Sequence, residues 1–484
     1  MAELTSTPPA TPALRKAMGF RDLVMFYLVT GFSLRWIAQA AAAGPSAIVI
    51  WIGACVVFYI PLVCCVLELS SRYPDEGGAY VWSKRAFGGF AGFITAWTYW
   101  TSNLPYFPAL LYFTASNALF LAGAHGRHLA DNPTYYIVAS LIGLALAVVP
   151  NIAGLNVGKW LHNAGAVGLW IPALILIGLG GVAWVRFGSA TPLPAASFVP
   201  STHFKDIIFW SIITFSLSGL ESASMMGDEI ADARRNIPRA LVIAGILIVA
   251  VNILSTLAVM LAIPAGDVSV LNGLVDAIDR VAVRVGLPGI TLLVAGMITI
   301  SGIGQSGAWF AAAGRLPFVA GIDRYLPPVF GRVHPRWGSP YVSLLVQAAF
   351  AVVFIFLSQM GTTVKGAYDV MVSMAVIGYF IPYLFMFASL IALQREPAGA
   401  GVLRVPGGSP VAIGMGAIGF IVTALSIVLS CVPTPDESDK LLAVEKVVGS
   451  TVVMVLLGVL IYVIARRRDS AVVEPASDVV GRAG

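Results

Sequence analysis

Apolar runs of about 20 residues, each long enough to cross a hydrocarbon core about 30 Å thick, recur along the whole of this 484-residue chain. Twelve can be read, near 22–43, 46–69, 88–123, 133–151, 158–185, 206–230, 238–263, 286–314, 340–358, 368–394, 410–431 and 446–465. Lipid cannot hydrogen-bond a backbone, so runs of this length read as membrane-crossing helices. Only 11% of the residues are charged, against about a quarter in soluble domains. That deficit excludes an ordinary globular enzyme. The first twenty residues are rich in Pro and Thr, and the first apolar run is too long for a signal-peptide core, so no cleavable signal is expected.

Charge sets an expected orientation. With the N-terminus inside and the loops alternating, 19 of the 29 Lys and Arg fall inside and eight outside. The excess of inside bases puts both termini in the cytoplasm, and that requires an even number of spans. The same bias accounts for the net charge of +5 without a nucleic-acid partner. Cys55, Cys64, Cys65 and Cys431 all lie in apolar runs and read as small buried hydrophobes, not as a disulfide or metal framework. No cofactor or metal is called for.

Two spans are interrupted by small polar residues at corresponding points of two halves. Span 1 passes from Phe26–Val29 into Thr30-Gly31-Phe32-Ser33-Leu34-Arg35, and span 6 from Ile212–Phe215 into Ser216-Leu217-Ser218-Gly219-Leu220-Glu221. A helix broken inside a bilayer frees N–H and C=O groups that must face protein or a wet cavity. Paired interruptions therefore point to a substrate site near the midplane. Spans 1–5 and 6–10 are read as repeats of about 20–185 and 205–394. Their odd number of spans forces inversion. Spans 11 and 12, about 410–465, lie outside the repeat. One membrane domain, 20–465, is flanked by polar tails 1–19 and 466–484 that are expected to be disordered.

Three motifs carry a resemblance. They are Glu68-Leu69-Ser70-Ser71-Arg72-Tyr73-Pro74 followed by Gly77-Gly78-Ala79-Tyr80, then Gly219-Leu220-Glu221-Ser222 followed by Asn236-Ile237-Pro238-Arg239, and then Tyr325-Leu326-Pro327-Pro328 followed by Gly338-Ser339-Pro340. Taken in order, they resemble the amino acid–polyamine–organocation superfamily over about residues 18–465. The resemblance implies an all-α LeuT-type fold with a 5+5 inverted repeat, twelve helices and helices 1 and 6 broken. It implies alternating access in the cell membrane, amino acid transport by proton symport or exchange, and an amino acid permease rather than an enzyme. A polyamine or amine carrier of the same superfamily is the alternative, supported by Phe107-Pro108-Ala109-Leu110. A sensor on this fold is a third reading. No partner subunit is indicated, so a monomer or homodimer is expected.

The candidate substrate-binding set is Thr30, Gly31, Phe32, Ser33 and Leu34 on span 1, and Phe215, Ser216, Ser218 and Gly219 on span 6. The half-helix beginning near Ser33-Leu34 offers free N–H groups and a positive dipole end to a carboxylate. Carbonyls near Phe215-Ser216 suit an ammonium. The resemblance adds Ser102, Asn103 and Phe107 on span 3, Trp309 on span 8 and Ser373 on span 10, and Pro105 and Pro108 predict a kink in span 3. Phe32 departs from the Gly-Ser-Gly common at this break in the family.

Glu221 reads either as a proton-linked gate or as a carboxylate favoured by a helix N-terminus. Arg35 has four readings: it contacts an acidic substrate, pairs with Glu221, lines a vestibule, or snorkels. His162 reads as a proton relay or, more simply, as a structural or interfacial residue. Gly168 stands where some relatives carry a lysine in place of sodium. Ser301 and Ser306 offer hydroxyls to a coupling ion that stays open.

Overall fold

The computed structural model describes residues 14–201, 204–268, 273–287, 289–358, 364–431 and 445–473, and its regular structure there is helical. Nine helical stretches among the described residues are long and apolar enough to cross a bilayer, and Tyr341–Leu357 is a shorter apolar one. The chain is thus a multi-pass membrane protein. Its outward side chains agree: Ile142, Val149, Trp160, Val185, Ile246, Val428 and Leu456 are all exposed, the inverse of a soluble surface.

The helices are α1 (Phe20–Thr30), α2 (Leu34–Ala42), α3 (Ser46–Ala54), α4 (Ile60–Arg72), α5 (Ala79–Phe87), α6 (Gly89–Ala118), α7 (Pro133–Ile152) and α8 (Leu155–Phe187). There follow α9 (Phe204–Ser216), α10 (Ala233–Ala262), α11 (Gly273–Val285), α12 (Ile290–Ile322), α13 (Tyr341–Ser358), α14 (Val364–Ala392), α15 (Gly408–Ser430) and α16 (Ser450–Val473). A π-helical turn, Cys55–Tyr59, joins α3 to α4. The starts follow local chemistry. Asn132 Oδ1 accepts from the N–H groups of Thr134 and Tyr135, and Pro133 opens α7, where its missing N–H costs nothing.

Close helix packing rests on small residues. A Cβ on Gly165 of α8 would meet the Gly304 backbone of α12 at 2.7 Å, and one on Gly168 would meet the Met297 carbonyl at 2.6 Å. Two backbones in contact gain dispersion along their whole length, which is how helices associate where lipid removes the hydrophobic drive. α12 also packs on α6, and α6 on α14, so these four helices form the centre.

Several expectations change. Residues 14–19, assigned to a disordered tail, are pinned: Ala17 N–H donates to the Glu229 carbonyl at 2.8 Å, and Met18 bridges Ile230. The polar segment from Arg466 continues as helix to Val473, carried by its good helix formers. Residues 1–13 and 474–484 lie outside the described residues. α6 runs unbroken through Pro105 and Pro108. α12 extends beyond the apolar run that ends near 314 and takes in Arg315. α5 and α11 are helices where connections were read. Cys65 is buried, whereas Cys55, Cys64 and Cys431 are only partly so, and all four are free.

The face bearing the 73–78 and 323–340 loops is sealed. Residues 222–229 form a 3₁₀ helix against the 73–78 loop, so close that a Cβ on Gly227 would collide with the Pro74 carbonyl. Beneath it Arg315, wholly buried, meets Glu229 in a two-pronged pair at 2.7 and 3.0 Å, with Glu76 at 3.9 Å. Burial and the neighbouring Glu229 carboxylate push Glu76 well above the usual carboxylate range, against the pull of Arg315. Glu229 is thus the direct partner of Arg315, and Glu76 is the more distant carboxyl, held by the Asp228 N–H at 3.0 Å. Further out, Glu68 pairs with Arg72 at 2.6 Å, while Lys84 and Tyr80 both reach Asp323. Arg85 and Tyr73 both donate to Glu396, whose carboxyl they hold below its ordinary range.

An asymmetry follows. Glu229→Gln strips the buried guanidinium of its counter-charge and should cost about 3–5 kcal/mol. Glu76→Gln removes only the more distant carboxyl, at 3.9 Å, and should cost under about 1 kcal/mol. Denaturation in mixed micelles checks this, and equal losses would refute the assigned asymmetry.

Candidate functional site

α1 ends where the sequence inserts Gly31. Phe32 and Ser33 are non-helical, Ser33 being extended at φ −147°, and α2 restarts at Leu34. Two of the carbonyls left open by this gap are taken by one side chain. Gln305 of α12 donates from Nε2 to both the Val29 and Phe32 carbonyls, at 2.7 Å each. α9 likewise stops at Ser216, and residues 217–221 turn before the 222–229 helix begins. Gly219 sits at φ +111°, and a Cβ there would press on the Thr30 carbonyl at 2.9 Å and on the Trp309 ring. Glycine is the residue that allows this close crossing. Ser222 Oγ ties the two gaps together by hydrogen bonds to Thr30 Oγ1 and the Gly219 carbonyl.

A small cavity of about 20 Å³ lies between the two gaps. Thr30, Gly31, Phe32 and Ser33 line it from the first, and Phe215, Ser216 and Ser218 from the second. Asn103 and Trp309 complete the part of the lining expected from the sequence. Trp36, Tyr106 and Tyr379 line it as well and were not expected.

Four expected residues do not line this cavity. Leu34 is buried in the core. Ser102 faces a separate void beside Thr98 and Gly378, because it stands one residue, about 100° of helix, from Asn103. Phe107 stacks on Phe310 at 4.9 Å. Gly219 forms the crossing itself. Ser373 lies on α14, but its side chain is outside the described residues.

The lining rings form a chain of edge contacts. Trp36 meets Phe215 at 5.5 Å, Phe215 meets Tyr379 at 5.4 Å, Tyr379 meets Trp309 at 5.9 Å, and Trp309 meets Tyr106 at 6.0 Å. Arg35 closes the chain. Its guanidinium carbon lies 4.0 Å from the Trp36 ring centre and 4.9 Å from that of Tyr106.

Glu221 sits just under this ring, fully buried. Its Oε1 accepts from the Tyr99 hydroxyl at 2.6 Å and the Tyr379 hydroxyl at 2.8 Å, and its Oε2 accepts from the Gly219 N–H at 3.1 Å. The Gly219 N–H is shared with the Tyr383 hydroxyl, to which it donates at 3.2 Å. The carboxyl turns back toward the gap instead of capping the following helix, and it does not pair with Arg35. Tyr379 is the link, with its ring on the cavity and its hydroxyl on Glu221.

The remaining candidates are spent elsewhere. Ser301 and Ser306 bond carbonyls of their own helix, at Ile298 and Gly302. His162 packs edge-on against Phe26. Among the described residues no cluster of three or more His, Cys, Asp or Glu is arranged to hold a metal.

Tyr379→Phe keeps the ring and removes one donor to Glu221. Hydrogen bonds to charged groups contribute about 1.5–3 kcal/mol, and a loss of that size is expected in denaturation of the reconstituted protein. An unchanged stability would mean that the carboxyl does not depend on this hydroxyl.

Comparison with known proteins agrees with this architecture. The chain is 29% identical over 427 residues to an uncharacterized transporter of Legionella pneumophila, covering 87% of this chain and 90% of that protein. It is 25% identical over 443 residues to a probable agmatine/putrescine antiporter of Lactococcus lactis, covering 91% and 93%. The family model described as amino acid permease matches residues 20–463. The protein therefore belongs to the amino acid permease family of membrane transporters.

Proposed function

We propose that this protein is a secondary active transporter that moves amino acids by alternating access through the cavity between the two helix gaps. The observation that carries the reading is the pairing of opposite helix ends across that cavity. α2 begins at Leu34 with first-turn N–H groups that lack intrahelical partners, and α9 ends at Ser216, where the Ile213, Thr214 and Phe215 carbonyls are bonded by Ser216, Leu217 and Ser218, so that it offers the cavity the negative end of its dipole. The first end suits a carboxylate and the second an ammonium. An α-amino acid carries both on one carbon.

In this reading the chain has twelve spans in a 5+5 inverted repeat with two further helices, with α1–α2 as the first broken span and α9 with the 222–229 helix as the sixth. Both termini are cytoplasmic and the membrane is the cell membrane. The sealed face with Arg315, Glu229 and Lys84–Asp323 is then the cytoplasmic gate, closed in this conformation. Glu221 acts between substrate and gate. Protonation withdraws its negative charge from Tyr99, Tyr379 and the Gly219 N–H, which loosens the layer that separates the cavity from the gate. Thr30, Gly31, Phe32, Ser33, Asn103, Phe215, Ser216, Ser218 and Trp309 bind substrate, joined by Trp36, Tyr106 and Tyr379.

One observation favours a second reading. A similar protein is named as a probable agmatine/putrescine antiporter, and aromatic faces attract cations. An amine carrier would need no carboxylate in its substrate.

The test is uptake by purified protein in liposomes, using labelled amino acids and putrescine. Each is run with and without an inward proton gradient, and with and without internal substrate. Uptake of an amino acid is expected, with Glu221→Gln slowing it by about tenfold or more, equivalent to roughly 1.4 kcal/mol. Dependence on the gradient identifies symport, and dependence on internal substrate identifies exchange. Putrescine outcompeting every amino acid would replace the reading by the amine carrier. Binding without flux would overturn transport.

A further inference from the structure

Beside the rings that line the cavity lies Arg35, a charge with no counter-charge among the described residues. Arg35 has no exposed surface, and its Nε, Nη1 and Nη2 make no hydrogen bond. The two aromatic faces beside it are its contacts, at 4.0 and 4.9 Å. Arg315, also without exposed surface, shows what a satisfied arginine needs in this protein, since it holds a carboxylate with two prongs and the Ala311 carbonyl with a third nitrogen. Glu221 does not supply the missing partner, because its oxygens are occupied by tyrosine hydroxyls and the Gly219 N–H.

A second unsatisfied donor belongs to the same ring. Trp309 Nε1 is buried without a partner, and Trp309 lines the cavity. The hydroxyls of Ser216 and Ser218 are already given to the Ile213 and Phe215 carbonyls. The fully buried side-chain atoms of Arg35 and Trp309 that lack a partner are thus all N–H donors.

The aromatic faces also point away from a cationic guest. A cage of rings favours a cation, but here the protein supplies that cation itself, stacked on Trp36 and Tyr106. A second positive charge entering the ring would meet like-charge repulsion in a dry site.

We infer that Arg35 is a specificity-determining residue, which receives a second carboxylate, so that the preferred substrate is a dicarboxylic amino acid. This rests on the reading of the cavity as the substrate site. The α-carboxylate and ammonium occupy the two helix ends, and the side-chain carboxylate takes the forked donors of Arg35. The anion completes the buried charge, as Glu229 completes Arg315.

The experiment is ligand-induced thermal stabilisation of the purified full chain by L-glutamate, L-aspartate, L-glutamine, L-leucine and putrescine, with apparent affinities taken from titrations. In the wild type, glutamate or aspartate is expected to bind at least about tenfold more tightly than glutamine. Arg35→Gln should bring that ratio down to about one, and Arg35→Lys, which keeps charge but loses the fork, should retain a preference at weaker affinity. The wild-type panel decides the question even if Arg35→Gln does not fold. Neutral amino acids or putrescine binding as tightly as the dicarboxylates would overturn the inference. So would no response to either dicarboxylate, or an unchanged ratio in Arg35→Gln. Ser218→Phe, which fills the cavity, separates the two readings. Dicarboxylate binding that survives it would locate the ligand elsewhere and sink the assignment of the cavity itself.

Discussion

Backbone hydrogen bonding inside a medium that offers none is the constraint on which this architecture depends. Two interruptions in spanning helices would each strand several carbonyls and N–H groups. The protein answers with side chains borrowed from elsewhere in the fold. Gln305 spans the first gap from α12, and Ser222 joins the first gap to the second. Gly219 brings the two gaps within van der Waals reach of each other. The cavity exists because these repairs leave a few helix-end groups unspent.

Buried charge follows a similar rule, since an ion in a low-dielectric interior must be paired or surrounded by donors. Arg315 is paired with Glu229, with Glu76 at 3.9 Å beyond them. Glu221 is surrounded by two tyrosine hydroxyls and an N–H. Arg35 alone of these groups is met only by ring faces, which satisfy a guanidinium in part. The contrast separates charges that hold the fold from a charge that the fold holds ready.

Much of this was legible in the sequence, and the limits were physical. Apolar length announced the membrane. Thr30-Gly31-Phe32-Ser33 and Ser216-Leu217-Ser218-Gly219 announced the cavity, because small polar residues in mid-span loosen a helix just where lipid would otherwise enforce it. Trp36, Tyr106 and Tyr379 gave no such signal. An aromatic in a spanning helix reads the same whether it faces lipid, core or cavity. Tyr106 lies three residues after Asn103, so the register of α6 from Asn103 pointed to it, as it pointed away from Ser102. Gln305 was a clearer omission: an uncharged amide in an apolar run has to bond something, and the nearest open carbonyls were those of the interrupted span. Arg315 was missed because apolar composition fades before a helix ends, whereas the helix itself is held by backbone bonds to Ile322.

α12 touches every part of this arrangement. Gln305 holds the first gap, Trp309 lines the cavity, and Arg315 grips the sealed face, all along about 15 Å of one helix. The helix is pressed to α8 at Gly165 and Gly304 with no side chain between them to act as a cushion. α8 in turn holds α1, through Lys159 to Asp22 and Trp170 to the Leu28 carbonyl. In mechanical terms α1, α8 and α12 form a braced strut. The same three helices therefore carry the first gap, the cavity wall and the sealed face, so the two ends of the site share one scaffold.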